Sequence, residues 1–130
     1  MAHILIIDDE DELRSTLRHM LEHDGHEVTE AANGAEGLRH YERESPDLII
    51  TDIIMPEKEG VETILALKRA DPDLPIIAIS GGGRLSATDF LSMAKKLGAR
   101  QALSKPFRRS ELMDAVQTCL GAGGTQQAAN

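Results

Sequence analysis

Short apolar runs alternate along the chain with segments in which apolar residues are spaced more widely. Continuous runs at residues 3–7, 47–52 and 75–80 are typical of strands buried on both faces. A weaker, alternating run at residues 26–30 indicates an edge strand, and residues 100–104 form a short last run. The pattern predicts five strands, separated by turn-forming or polar residues.

The segment after each predicted strand carries apolar residues three or four positions apart, which predicts five helices. Gly25, Asp71-Pro72 and Gly98 end the first, third and fourth of them. Residues 121–130 are rich in Gly, Ala and Gln, and we expect a disordered tail or the start of a linker beyond a domain of residues 1–120. The helices are marked, in chain order, by Leu13, Leu17, Met20 and Leu21; by Ala35, Leu38 and Tyr41; by Val61, Ile64, Leu65 and Lys68; by Phe90, Leu91, Ala94 and Leu97; and by Leu112, Val116, Cys119 and Leu120.

Strict alternation of strands and helices predicts an α/β fold, a doubly wound (βα)5 arrangement with helices on both faces of a parallel five-stranded sheet. We expect the flavodoxin-like strand order 2-1-3-4-5. In that order the connections change direction between the first and third strands, where ligands bind at the carboxyl ends. The sequence contains no internal repeat and no second domain.

Charge and cysteine content narrow the functional classes. The 130 residues include 14 basic and 22 acidic residues, a net charge of −8, so the chain lacks the basic surface needed to bind nucleic acid directly. The single cysteine, Cys119, cannot form an internal disulfide. There is no signal-peptide pattern and no apolar run near the roughly 20 residues of a membrane span. We expect a cytoplasmic protein that does not enter the membrane.

Polar residues occupy the carboxyl ends of four predicted strands. Asp8 and Asp9 follow the first strand, Asp52 ends the third, Ser80 ends the fourth, and Lys105 follows the last. The parallel arrangement brings these ends together. Clustered carboxylates repel one another unless a cation joins them, and oxygen ligands select a hard divalent ion, Mg²⁺ or alternatively Mn²⁺. Lysine and serine beside that ion suit a tetrahedral anion.

In these residues the chain resembles the CheY-like response regulator receiver domain of bacterial two-component signalling. The resemblance covers about residues 3–120 and rests on four motifs in the same order and spacing. It implies that Asp52 is a phosphoacceptor, which takes a phosphoryl group from the phosphohistidine of a histidine kinase or from a small donor such as acetyl phosphate. The motifs are Ile6-Ile7-Asp8-Asp9-Glu10, Asp52-Ile53-Ile54-Met55-Pro56 with Gly60, Ser80, and Lys105-Pro106-Phe107.

The resemblance also implies a metal-binding role for four residues. Asp9 and Asp52 would bind Mg²⁺ through their side chains, Ile54 through its backbone carbonyl, and Asp8 through water. The histidines show no spacing that would indicate a second metal site. His19 and His23 stand four residues apart with no third ligand, and we interpret them as solvated.

The same resemblance implies how the phosphoryl group is held and what the protein does with it. Lys105 would bind a phosphoryl oxygen, Ser80 would hydrogen-bond the attached group, and the Lys105-Pro106 bond would be cis. The protein would be a signalling protein that catalyses its own phosphorylation and dephosphorylation. Its partners would be a sensor histidine kinase or phosphotransfer protein and a downstream protein target, and it would be a monomer or a phosphorylation-dependent dimer.

Two features depart from the family pattern. Ala102 stands where the family usually has an aromatic residue that moves inward on activation, and residues 81–83 are three glycines. We hypothesise that phosphorylation orders this glycine loop and the start of the fourth helix instead. The signal would reach partners through the fourth helix, fifth strand and fifth helix, a surface that includes Lys95, Arg100, Arg108 and Arg109. Ile54 and Gly82, where the family tunes phosphoryl lifetime, are not polar.

Three alternative functions compete with this one, and each meets an objection. The first is a receiver-like interaction module that works without phosphorylation, which Ala102 and the glycine run favour and the presence of Asp52 and Lys105 opposes. An aspartate-nucleophile phosphatase would need a second aspartate where Ile54 stands, and a flavin-binding domain would need stacking aromatics that are missing.

The site residues also have ordinary structural interpretations. Asp52 could cap a turn, Lys105 could be solvated, and Ser80 could simply end a strand. Acidic residues could favour the dipole of the first helix, which is the better explanation for residues 10–12. None of these interpretations explains why such residues meet at several strand ends.

Overall fold

Five parallel strands form one sheet, and a helix follows each strand. The structure, a computed structural model, describes residues 2–53, 59–80, 87–105 and 107–123. The strands are β1 (His3–Ile7), β2 (Glu27–Ala31), β3 (Leu48–Asp52), β4 (Ile76–Ser80) and β5 (Gln101–Ser104). The helices are α1 (Asp11–His23), α2 (Gly34–Arg43), α3 (Glu59–Ala70), α4 (Ala87–Leu97) and α5 (Arg109–Gly123).

The strand order is β2-β1-β3-β4-β5, and all four neighbouring pairs are parallel. Both the predicted order and the edge position of β2 are therefore confirmed. The connections change direction between β1 and β3, which are hydrogen-bonded neighbours. Any group at the carboxyl ends of these two strands therefore lies at the expected ligand-binding edge.

The core has two layers because the central strands bury side chains on both faces. On one face, Ile7 and Ile49 pack with Ile64 and Leu67 of α3 and with Ala94 of α4. On the other face, residues of β1, β3 and β4 pack against α1 and α5. That second layer includes Ile6, Ile50, Ile79, Leu17, Leu21, Leu112, Val116 and Cys119. The continuous apolar runs in the sequence follow from this two-sided burial.

Three details differ from the sequence prediction. Strand β2 begins at Glu27 because the backbone N–H of His26 donates to Leu21 at the end of α1. Helix α5 continues to Gly123 rather than ending at residue 120. Leu65, predicted to face the core, is 45% exposed, because Ile64 and Leu67 form the buried face of α3. Apolar spacing alone does not distinguish Leu65 from Leu67 as the core residue.

Helix α2 approaches β1 closely at Gly37. A Cβ atom at this buried glycine would lie 2.8 Å from Cγ1 of Ile7, whose side chain is itself fully buried. The absence of a side chain therefore sets the distance between α2 and the sheet.

Among the described residues, no helix has both the length and the apolar character needed to span a membrane.

We predict that Gly37→Ala lowers the free energy of unfolding by about 1 kcal/mol, because a steric cost of ~1–3 kcal/mol exceeds a helix-propensity gain of ~1 kcal/mol. Gly121→Ala is the matched control, since nothing lies within 4 Å of a Cβ there and α5 gains propensity. Urea denaturation of both variants measures the difference. Equal or greater stability of Gly37→Ala than Gly121→Ala would contradict the predicted steric contact.

Candidate functional site

The predicted polar residues lie at the carboxyl edge of the sheet. Asp8 follows β1 and is fully buried, Asp52 ends β3 at 3% exposure, and Ser80 ends β4 at 1% exposure. Lys105 directly follows β5. Three of these residues are therefore polar groups withdrawn from water, which is unusual unless they have partners or bind something.

Strand register brings these ends to the same level. Asp52 is paired with Ile79, the residue before Ser80, and Ser80 is paired with Ser104, the residue before Lys105. The backbone N–H of Lys105 donates to the carbonyl of Ser80 at 2.8 Å, which fixes the end of β5 against β4. The relative positions of Asp52, Ser80 and Lys105 are therefore set by backbone hydrogen bonds between strands rather than by any one loop.

The Lys105 ammonium joins three carboxylates. Its Nζ lies 3.2 Å from Oδ2 of Asp52, 3.6 Å from Oδ2 of Asp8 and 2.7 Å from Oε1 of Glu10. Burial would lower the pKa of Lys105, but the hydrogen bond to Glu10 and the charges of Asp52 and Asp8 outweigh it and raise this pKa. The lysine is therefore held in its charged form.

Glu10 is a site residue that the sequence analysis missed. Its position before α1 predicts a role at the helix dipole with Asp11 and Glu12, but only those two lie in the first turn of α1. Glu10 is the N-cap residue, and its carboxylate reaches Lys105 instead of capping the helix. The direction of this side chain depends on a lysine 95 residues away, and no local pattern reveals it.

Arg14 is a second residue that the sequence analysis did not single out. Its guanidinium donates to the backbone carbonyl of Asp8 at 2.6 Å, to Glu30 at 3.0 Å and to Asp11 at 2.6 Å. The side chain is largely buried. Arg14 thus connects the turn after β1 to α1 and β2, and it holds the backbone that carries Asp8.

Asp8 has an unusual electrostatic environment. Its Oδ1 accepts a hydrogen bond from the backbone N–H of Glu10 at 2.7 Å, whereas Oδ2 is buried and has no hydrogen-bond partner among the described residues. Burial raises the pKa of Asp8 from 3.8 to about 6. The Glu10 N–H and Lys105 oppose that rise, and the charges of Asp52 and Glu10 add to it.

These carboxylates fit a hard divalent cation. One oxygen each of Asp8, Glu10 and Asp52 lies within 4.8 Å of the others, and Oδ2 of Asp8 is a buried acceptor that receives no hydrogen bond from the described residues. Oxygen-only ligands of this kind suit Mg²⁺. Asp9, the predicted ligand beside them, is exposed and does not belong to this group.

Some predicted features lie outside the described residues. They are the carbonyl of Ile54, the three glycines at 81–83 and the Lys105-Pro106 bond. Ala102 is described: it lies on β5 beside Ala78 and packs, half-buried, against the core layer that contains Ala94. Met93 also packs against that layer.

Comparison with known proteins identifies the family. Residues 4–117 match the family model of the response regulator receiver domain. The chain belongs to this family. The predicted family and fold are therefore confirmed.

Relatives of known sequence agree with this assignment. The chain is 36% identical to chemotaxis protein CheY of Bacillus subtilis over 122 residues, which cover 92% of this chain and 99% of that protein. It is 33% identical to sporulation initiation phosphotransferase F of the same organism, with coverage of 90% and 92%. A solved receiver domain protein from Clostridium thermocellum superposes with a TM-score of 0.83 at 34% identity, covering 92% of this chain and 94% of that one.

Membership of the receiver family gives the general role of this chain. Receiver domains are signalling proteins with their own phosphorylation chemistry, and they interact with histidine kinases or phosphotransfer proteins and with downstream targets. The family typically binds Mg²⁺, and the acidic group around Asp8 and Asp52 agrees with that property.

We predict that Asp8→Asn stabilises the metal-free receiver domain at pH 7. The folded-state pKa of about 6 exceeds the ordinary value of 3.8, so the folded protein binds this proton more tightly than the unfolded chain. The free energy of unfolding therefore falls as the pH rises from about 4 to about 6, and asparagine removes that loss, a gain of roughly 1–3 kcal/mol.

Urea denaturation in chelator at pH 4 and pH 7 measures this effect. The stability difference between Asp8→Asn and the native protein should be present at pH 7 and nearly absent at pH 4. Asp114→Asn, on the exposed face of α5, is the control and should change little. A native protein as stable as Asp8→Asn at pH 7 would contradict the raised pKa.

Proposed function

We propose that this receiver domain accepts a phosphoryl group on Asp52 and transmits the change through protein contacts. The observation that carries the proposal is the contact of 3.2 Å between Asp52 and Lys105 at the switch point of the sheet. A buried carboxylate beside a fixed ammonium is a nucleophile with a partner for the charge of an incoming phosphoryl group.

The transfer forms one bond and breaks another. An Oδ atom of Asp52 attacks phosphorus, and the bond from phosphorus to the donor breaks, with its electron pair leaving on the imidazole nitrogen of a kinase histidine or on the acetate of acetyl phosphate. The product is an acyl phosphate with about two negative charges in place of one. Lys105 stays beside the added charge, and the hydroxyl of Ser80 hydrogen-bonds the attached group.

We propose that Mg²⁺ is required, held by the side chains of Asp9 and Asp52, by the Ile54 carbonyl, and by Asp8 through water. When bound, the ion neutralises charge on the transferring phosphoryl group. Oδ2 of Asp8 is buried and accepts no hydrogen bond from the described residues, which supports a cation at this position. Glu10 also lies near this position, but its carboxylate pairs with Lys105 at 2.7 Å. We therefore assign Glu10 to positioning Lys105 rather than to binding the metal.

The proposed output surface is formed by α4, β5 and α5. Lys95, Arg100, Arg108 and Arg109 are exposed on it, so it suits a partner with acidic groups on its surface. On this proposal the change at Asp52 reaches the surface through Ser80 and the connection from β4 to α4, whose residues 81–86 are not described. Ala102 leaves β5 without the family's usual aromatic side chain.

The first experiment is intact-mass measurement after incubation with acetyl phosphate and Mg²⁺. We expect one phosphoryl adduct that is lost with time, because acyl phosphates hydrolyse. The adduct should be absent with chelator and in Asp52→Asn. Asp73→Asn is the matched control, an exposed aspartate at the opposite end of the sheet, and it should be phosphorylated normally.

The outcomes distinguish two functions. An adduct that survives Asp52→Asn would place the phosphoryl group elsewhere and contradict the proposal. If neither acetyl phosphate nor phosphorylated histidine kinases produce an adduct, the alternative is an interaction module that works without phosphorylation, which the small side chain of Ala102 favours.

A separate prediction concerns the metal ligands. We expect Asp9→Asn to weaken Mg²⁺ binding at least tenfold, and Glu10→Gln to change it less than threefold, because Glu10 is paired with Lys105. The increase in melting temperature with Mg²⁺ concentration gives the affinity of each variant. The reverse order would make Glu10, rather than Asp9, the third carboxylate ligand.

A further inference from the structure

A second group of side chains of the types that can bind a metal lies at the amino ends of the strands. It consists of His3 at the start of β1, Glu27 at the start of β2 and Glu44 at the end of α2. A ring nitrogen of His3 and one oxygen of each glutamate lie within 4.8 Å of one another. The five residues of β1 separate this group from Asp8 by roughly 16 Å, so the two sites are distinct.

One nitrogen of the His3 ring has no hydrogen-bond partner among the described residues. Its Nε2 lies 2.8 Å from the hydroxyl of Thr29, whereas Nδ1 is buried and has no hydrogen-bond partner among the described residues. With the proton on Nε2 donated to Thr29, the lone pair of Nδ1 is free. A histidine that ligates a metal commonly has this arrangement, in which the second nitrogen donates to a polar group and fixes the ring.

A cavity adjoins this group. It has a volume of about 220 Å³, and its lining includes His3, Thr29, His40, Arg43 and Glu44. His40 lies one helical turn before Glu44, whose backbone N–H donates to the carbonyl of His40 at 3.0 Å. The end of α2 thus presents a carboxylate and an imidazole to the same space.

We propose that His3, Glu27 and Glu44 bind a divalent transition metal ion of the Zn²⁺ type, with water completing the coordination. Mixed imidazole and carboxylate ligands suit Zn²⁺, whereas the acidic site at Asp52 contains only oxygen and suits Mg²⁺. The ion would join β1, β2 and α2 at the end of the sheet opposite the phosphoacceptor. Each ligand comes from a different segment or turn, which is why the histidine spacing did not indicate this site.

Substitution of Arg43 should change the Zn²⁺ affinity in the opposite direction to loss of a ligand. This exposed guanidinium lines the same cavity, and its positive charge opposes binding of a cation. Arg43→Gln should therefore bind Zn²⁺ more tightly, whereas loss of a true ligand should bind it more weakly.

The experiment is calorimetric titration of the untagged full chain with ZnCl₂. With excess Mg²⁺ present to fill the acidic site, we expect one Zn²⁺ per chain, at least tenfold weaker binding in His3→Gln and Glu44→Gln, and tighter binding in Arg43→Gln. His19→Gln is the matched control, an exposed histidine on α1, and should bind like the native protein. Asp52→Asn should also retain this binding. The Nδ1 resonance of His3 should shift on adding Zn²⁺.

Three results would overturn the proposal. One is the absence of Zn²⁺ binding by the native chain. Another is a Glu44→Gln affinity within threefold of native; because Glu44 is an exposed residue at a helix end, this variant tests the site even if His3→Gln fails to fold. The third is loss of binding in Asp52→Asn, which would assign the ion to the acidic site.

Discussion

The contact between one ammonium and three carboxylates is the interaction on which the site depends. Lys105 lies within 3.6 Å of Asp8, Glu10 and Asp52, so the group contains more negative than positive charge. The apolar core offers no interaction that stabilises this excess of negative charge. It is held because the ends of β1, β3 and β5 are fixed by the sheet, and the remaining negative charge is what makes the site suited to a cation and, with it, a phosphoryl group.

Burial of Asp8 within this group lowers the stability of the metal-free protein, and Lys105 offsets only part of that cost. Among the described residues, Oδ2 of Asp8 is buried and has no hydrogen-bond partner, and burial raises the pKa of Asp8 to about 6, so its ionised form is disfavoured in the metal-free protein. The two-layered core supplies the stability that offsets this cost. Arg14 contributes locally, since it ties the backbone of Asp8 to α1 and to Glu30. A cation that binds the folded state would remove part of the penalty.

The sequence was sufficient for features that depend on backbone pattern. Apolar runs and their alternation with helices predicted a parallel sheet with helices on both faces. Because parallel strands share one carboxyl edge, they also predicted that Asp8, Asp52, Ser80 and Lys105 lie at that edge. Predictions that depend on the direction of a side chain were missing or wrong. Glu10 turns to Lys105, Leu65 faces solvent, and His3 meets Glu44 across 41 residues of chain. Each depends on packing between distant segments, which periodicity does not contain.

Chemical identification of the modified residue tests the central claim most directly. After incubation with acetyl phosphate and Mg²⁺, borohydride reduces an aspartyl phosphate to homoserine, and peptide sequencing by mass spectrometry then locates it. The account predicts homoserine at position 52 alone, dependent on Mg²⁺. Homoserine at another aspartate, or a phosphoryl group on a histidine, would contradict the assignment of Asp52 as the phosphoacceptor.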